Sequence, residues 1–63
     1  MPKEISGEIF YSVDEVAEIL RVSPNIVLDF INEDKLTAKK IEGEWLISEE
    51  ALKEFVERQN MGS

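Results

Sequence analysis

Four side chains in one short stretch have types and spacing that suit contact with the edges of nucleic-acid bases. They lie at i, i+3, i+4 and i+7, the repeat of one helix face, and they are Asn25, Leu28, Asp29 and Asn32. An Asn amide can form two hydrogen bonds with adenine, a carboxylate can accept one from cytosine, and an apolar side chain can contact the thymine methyl group. The alternatives for this face are contact with a protein partner, or a solvated surface with no binding role.

Three lysines form a second candidate site, because they are the basic residues that stand closest together in the chain. They are Lys35, Lys39 and Lys40. Lysine neutralises phosphate, and three such contacts predict a slope of about −2.7 in a plot of log affinity against log salt. The alternative is an ordinary strand edge, where lysines discourage pairing between exposed edges.

Catalysis has little support in the composition. The chain has no His and no Cys, so the usual general base, nucleophile and soft metal ligands are missing. The acidic pairs Asp14-Glu15 and Glu49-Glu50 stand at predicted helix starts, where capping and the helix dipole explain them without a metal. We therefore expect no enzyme activity, no cofactor, no metal and no small-molecule substrate.

The charge of the chain is strongly negative and unevenly distributed. The formal net charge is −7, from 7 basic and 14 acidic residues, which repels nucleic acid at long range. Residues 23–34 hold Asp29, Glu33 and Asp34 with no basic residue, whereas residues 35–47 hold three lysines against two glutamates. Attraction for a polyanion must therefore come from residues 35–47.

The length of 63 residues allows a single domain, 1–63, with an expected ordered core of about 9–59. No signal-peptide pattern and no apolar run of membrane-spanning length occurs, so we expect a cytoplasmic protein that does not bind a membrane. The terminal Met61-Gly62-Ser63 is typical of a cloning junction, and residues 60–63 are expected to fray.

Three serines mark the starts of helices predicted near 13–20, 24–33 and 49–59. Ser12 begins a capping box with Glu15, Ser23 precedes Pro24 at the first helical position, and Ser48 begins the last helix. Each serine follows an apolar residue that can staple to another five positions on, in the pairs Tyr11 with Val16, Val22 with Val27, and Ile47 with Leu52. The predicted buried faces are Val13, Val16, Ala17 and Leu20; Ile26, Val27, Phe30 and Ile31; and Ala51, Leu52, Phe55 and Val56.

A β-hairpin is predicted over 38–47, because two strand-like runs flank Glu42-Gly43 and Gly43 can supply the positive φ of a tight turn. Trp45 in the second run is expected to pack on the core. In residues 1–10, Ser6-Gly7 predicts a bend, and the apolar residues around it predict that part of this segment lies on the core.

The remaining signal is the order of these elements together with the motifs inside them. The motifs are Tyr11-Ser12-Val13-Asp14-Glu15-Val16-Ala17-Glu18-Ile19-Leu20, Val22-Ser23, Val27 with Ile31, Leu36, and Gly43-Glu44-Trp45-Leu46-Ile47. From about Tyr11 to Val56 the chain resembles the excisionase/MerR-like winged helix-turn-helix domains. The resemblance implies a small α+β fold whose second helix enters the major groove of DNA and whose hairpin, the wing, contacts the backbone or minor groove.

Two functions follow. The first is sequence-specific binding of double-stranded DNA in a regulatory or architectural role, as a dimer, within a longer protein or beside another protein, since three lysines supply little attraction. The second is an acidic protein-interaction module that kept the fold and lost DNA binding. In that case the second helix contacts a protein partner, and Leu28 with Ile19 forms an apolar patch. The resemblance favours the first function. The second is favoured because family members usually carry Arg or Lys at several outward positions of the second helix and in the wing. At these positions this chain has Pro24, Asn25, Leu28, Asp29 and Asn32 in the helix, and Glu42 and Glu44 in the wing.

Overall fold

Seven helices and strands follow one another in the computed structural model, which describes residues 2–61. They are β1 (Lys3–Ile5), β2 (Glu8–Ser12), α1 (Val13–Leu20), α2 (Pro24–Asn32), β3 (Lys39–Ile41), β4 (Glu44–Ser48) and α3 (Glu49–Met61). The strands form one antiparallel sheet in the order β1-β2-β4-β3. Two helices joined by a short turn, a hairpin and a third helix make this a small winged helix-turn-helix, as predicted.

The helix ends lie close to the predicted positions, with one exception at the end of the chain. The backbone of residues 60 and 61, predicted to fray, continues α3, whereas Gly62 and Ser63 lie outside the described residues. None of the helices within residues 2–61 has the length and hydropathy needed to cross a bilayer.

Two of the three predicted serine caps are engaged. At the start of α1 the Glu15 N–H donates to the Ser12 hydroxyl at 3.2 Å, and the Ser12 N–H donates to the Glu15 carboxylate at 2.9 Å. At the start of α3 the Ala51 N–H donates to the Ser48 hydroxyl at 3.1 Å. These bonds satisfy backbone donors that a helix leaves without an internal partner.

Because the Ser12 cap is complete, Ser12→Ala is expected to lower the free energy of unfolding by about 1 kcal/mol. Urea unfolding followed by Trp45 fluorescence measures this loss. Ser23→Ala is the matched control, since the Ser23 side chain makes no capping hydrogen bond. Equal losses in the two variants would contradict the assignment of the caps.

The main core lies between the helices and one face of the sheet. Its buried residues are Val16, Ala17, Val27, Ile31, Leu36, Ile47, Leu52 and Phe55, and all six predicted staple residues belong to this cluster or pack against it. The centroids of the Phe30 and Phe55 rings lie 5.0 Å apart, and this contact joins α2 to α3. The Tyr11 hydroxyl joins β2 to α3 by donating to the Glu49 carboxylate at 3.4 Å. Burial and that carboxylate raise the pKa of Tyr11 above its ordinary value.

The other face of the sheet, here called the outer face, has a small buried cluster of its own. Because side chains alternate along a strand, Phe10 and Leu46 point away from the face that carries Tyr11 and Ile47. They are nevertheless only 4% and 2% exposed, and they lie outside the main core cluster. A Lys3–Glu44 ion pair of 3.1 Å links β1 to β4 across β2.

Residues 3–12 form a complete hairpin where only a bend was predicted. Ser6 and Gly7 have φ angles of 52° and 83°, nearly those of Glu42 and Gly43 in the wing, which are 51° and 79°. Positive φ at both central residues is the geometry of a two-residue hairpin turn. The hairpin brings Phe10 into the outer-face cluster, so part of this segment is buried as predicted.

Candidate nucleic-acid interface

The exposed side of α2 carries three of the four side chains predicted to contact bases. Asn25, Asp29 and Asn32 are exposed, while Val27 and Ile31 on the opposite side are buried. A helix turns about 100° per residue, so Asp29 points almost directly away from the middle of the buried side. The three polar side chains therefore form one strip along the helix, here called the α2 strip.

Two apolar residues of α2 lie in places that differ from the prediction. Leu28 is half-buried and packs against the core, whereas Ile26, predicted to be buried, is 40% exposed. Leu28 is rotated about 80° from the middle of the buried side, and Ile26 is rotated about 120° from it. Leu28 therefore contacts the core, whereas Ile26 faces solvent. This corrects the expectation that Leu28 is freely available to a thymine methyl or to an apolar partner.

The start of α2 also differs from the prediction, because Ser23 does not cap the helix with its side chain. The N–H of Ile26, the donor that a capping hydroxyl would bind, already donates to the Ser23 carbonyl at 3.0 Å. Pro24 has no N–H to satisfy. The exposed Ser23 hydroxyl is thus available at the start of α2, where backbone dipoles favour an anion.

Arg21 stands beside this helix start and was not among the predicted site residues. It adopts a left-handed conformation with φ 61°, and its backbone N–H closes α1 by donating to the carbonyls of Ala17 and Glu18. Its side chain is exposed, and no ion pair to it occurs among the residues that the structure describes. The sequence contained one signal, since Arg21 is the only basic residue between Lys3 and Lys35.

The three lysines predicted as one basic cluster are separated by the fold. Lys39 and Lys40 are neighbours on a strand and so point to opposite faces. The Lys40 ammonium lies 5.2 Å from the centroid of the Trp45 ring, on the helix side of the sheet, whereas that of Lys39 lies 6.0 Å from the Phe10 ring on the outer face. Lys35 forms a 3.2 Å ion pair with Glu33, and both side chains are more than half exposed.

The wing nevertheless adjoins the end of α2. A shallow groove between them is lined by Ile31, Asp34, Thr37 and Trp45, among others. Trp45 is half-buried and packs against the core, as predicted, so it holds Lys40 against this side of the wing. The candidate interface is therefore spread over neighbouring elements: Arg21 precedes α2, the α2 strip lies on the helix, and Lys40 lies on the wing beside its end. The helix itself contains no basic side chain.

Comparison with known proteins agrees with this geometry. A family model described as a helix-turn-helix domain matches residues 10–60, which is most of the chain. The match begins within β2, so β1 precedes it. Searches of curated proteins and of solved structures found no significant match. A helix-turn-helix domain indicates DNA binding in general.

Proposed function

Because the chain belongs to the helix-turn-helix domain family, we propose that it binds double-stranded DNA with α2 in the major groove and the β3–β4 wing on the backbone. The observation that supports this most directly is the α2 strip, in which Asn25, Asp29 and Asn32 are exposed side by side. Side chains of these types can bind base edges. The role is regulatory or architectural and involves no catalysis.

Phosphate contacts in this proposal come from a few groups around α2. Arg21 and the Ser23 hydroxyl lie at the start of the helix, and Lys40 lies on the wing. Such contacts set the position of the protein on the duplex and supply much of the affinity. Since the net charge is −7, binding by the domain alone is weak, and stable binding requires a dimer, a longer chain or a second protein on the DNA.

The test is an NMR amide-shift titration with mixed-sequence duplex DNA at low salt, repeated at physiological salt. Shifts are expected at residues 21–32 and 39–41, and salt should weaken them because released counterions drive the binding. Absence of shifts at low salt, where electrostatic attraction is strongest, would reject DNA binding by this domain.

One substitution isolates the contribution of the helix start. Arg21→Ala is expected to weaken DNA binding at every sequence and to reduce the salt slope by about 1, because one phosphate contact is lost. Lys53→Ala is the matched control, since it removes the same charge from α3 beside the β1–β2 turn. Fluorescence anisotropy with a labelled duplex measures both. Identical effects of the two changes would show that Arg21 acts only through the net charge.

A second candidate function is an acidic protein-interaction module, which one observation favours. Ile19 on α1 is 52% exposed, the most of the large apolar side chains that the structure describes as exposed. Leu28, its predicted companion, is half-buried and contributes less surface than that hypothesis assumed. A titration without DNA shifts would leave this candidate in place of DNA binding.

A further inference from the structure

We propose that Asp29 sets the base preference of this domain by selecting a C·G pair whose cytosine faces α2, and by excluding duplexes that present other bases there. The inference rests on the proposed DNA binding by α2. It adds to that proposal the identity of the base pair and the residue that chooses it.

The position of Asp29 in the α2 strip carries the first step. Asn25 and Asn32 lie about 40° and about 60° of rotation from it, both on the same side. Along the helix axis they are about 6 Å and 4.5 Å away, at 1.5 Å per residue. Successive bases of a strand are about 3.4 Å apart, so the three side chains address neighbouring base pairs, with Asp29 between the two amides. Any approach of this helix to base edges brings the carboxylate with it.

The second step is that nothing in the described part of the chain neutralises this carboxylate. No ion pair or side-chain hydrogen bond to Asp29 occurs among the described residues. The neighbouring acidic residue Glu33, by contrast, is paired with Lys35 at 3.2 Å. A carboxylate is an acceptor only, and once water is removed it needs a donor from the DNA.

The third step follows from the pattern of donors in the major groove. Cytosine presents an N4 amino donor, whereas guanine presents the N7 and O6 acceptors and thymine the O4 acceptor. Adenine presents an amino donor beside the N7 acceptor, a pair that suits an Asn amide better than a carboxylate. A base that offers only acceptors leaves Asp29 charged and unpaired, so cytosine is favoured chiefly because the others are penalised. The expected discrimination is about 5- to 150-fold.

Three proteins test this inference: the unchanged chain, Asp29→Asn and Asp34→Asn. Asp34 is exposed, lies just beyond α2 and has φ 60°, a conformation that Asn tolerates. Both variants therefore replace a carboxylate with an amide of nearly the same shape and remove one negative charge. One change lies inside the α2 strip and the other lies outside it. Each protein is used at low salt to select duplexes from a randomised pool, and affinities for duplexes differing at the selected pair are measured by anisotropy.

The unchanged chain and Asp34→Asn are expected to select cytosine at one fixed position, with Asp34→Asn binding all duplexes more tightly by a common factor. Asp29→Asn is expected to bind all duplexes more tightly and to lose the cytosine preference. If Asp29→Asn keeps that preference, or if the unchanged chain binds all duplexes equally, the inference is wrong while DNA binding stands. If no protein binds any duplex, both the inference and the proposed function fail.

Discussion

Phe10→Ala is expected to lower the free energy of unfolding by about 3 kcal/mol, although this residue lies outside the main core. Phe10 is 4% exposed on the outer face of the sheet, where Leu46 is 2% exposed and the Lys39 ammonium lies 6.0 Å from the Phe10 ring. Removing the ring opens a cavity in this cluster, and the surrounding strands can collapse into it only in part. Urea unfolding followed by Trp45 fluorescence measures the loss.

The control is the preceding residue. Ile9 points to the opposite face of β2 and is 37% exposed, beside the exposed residues Glu49 and Glu50 at the start of α3. Ile9→Ala is therefore expected to cost less than about 1 kcal/mol. If the two substitutions cost the same, the outer-face cluster adds nothing beyond ordinary surface burial.

Leu36→Ala is expected to lower the free energy of unfolding by about 2–5 kcal/mol and, at the upper end of this range, to leave much of the protein unfolded. Leu36 is 1% exposed in the main core, and its N–H donates to the Phe30 carbonyl at 3.2 Å, which ties the segment after α2 to that helix. A chain of 63 residues has a total stability of only about 3–9 kcal/mol. Loss of the folded amide spectrum and of the cooperative urea transition reports the effect.

Thr37→Ala serves as the control for Leu36→Ala, because Thr37 is the next residue and is exposed. It is expected to change the free energy of unfolding by no more than about 0.5 kcal/mol. A small loss in both variants would mean that Leu36 does not contribute to the core as its burial indicates.

The helices could be predicted closely from the sequence because their signals are local. The Ser12–Glu15 pair and the Ser48 cap need only residues within one turn, and both occur as hydrogen bonds in the structure. Ser23 shows where such reasoning stops. The sequence around Ser23 is equally favourable for a cap. The Ile26 N–H, which the Ser23 hydroxyl would bind, donates to the Ser23 carbonyl instead. That competition depends on the backbone path between α1 and α2, which no residue type specifies.

The first hairpin goes beyond the predicted bend, although its turn carries the same signal as the wing. Ser6-Gly7 and Glu42-Gly43 are both Xaa-Gly pairs with positive φ at each residue. The strands around the two turns are also alike, since β1 and β3 are both Lys-Xaa-Ile and both β2 and β4 have a Glu followed by three large apolar or aromatic residues, so the rule that predicts the wing applies equally to the first hairpin. β1 is held by local pairing with β2 and by the Lys3–Glu44 ion pair, of which only the ion pair depends on a residue distant in the sequence.

The exposed face of α2 could be predicted from the sequence, whereas the positions of the lysines could not. The helical repeat correctly placed Asn25, Asp29 and Asn32 on an exposed face. Nearness in sequence predicts one cluster of lysines, but the side chains of adjacent strand residues lie on opposite faces. How the strip and the lysines act on DNA stays a prediction.

The pairing of β2 with β4 has a consequence for how the chain folds. Residues 13–43 lie between these two central strands, so α1, α2 and β3 all sit inside the loop that closes when Tyr11 comes opposite Ile47. The two hairpins form from residues close in sequence, whereas this closure must meet the entropic cost of a long loop. We therefore expect the two hairpins to form before the central strands pair, so that the register of the whole sheet is fixed last.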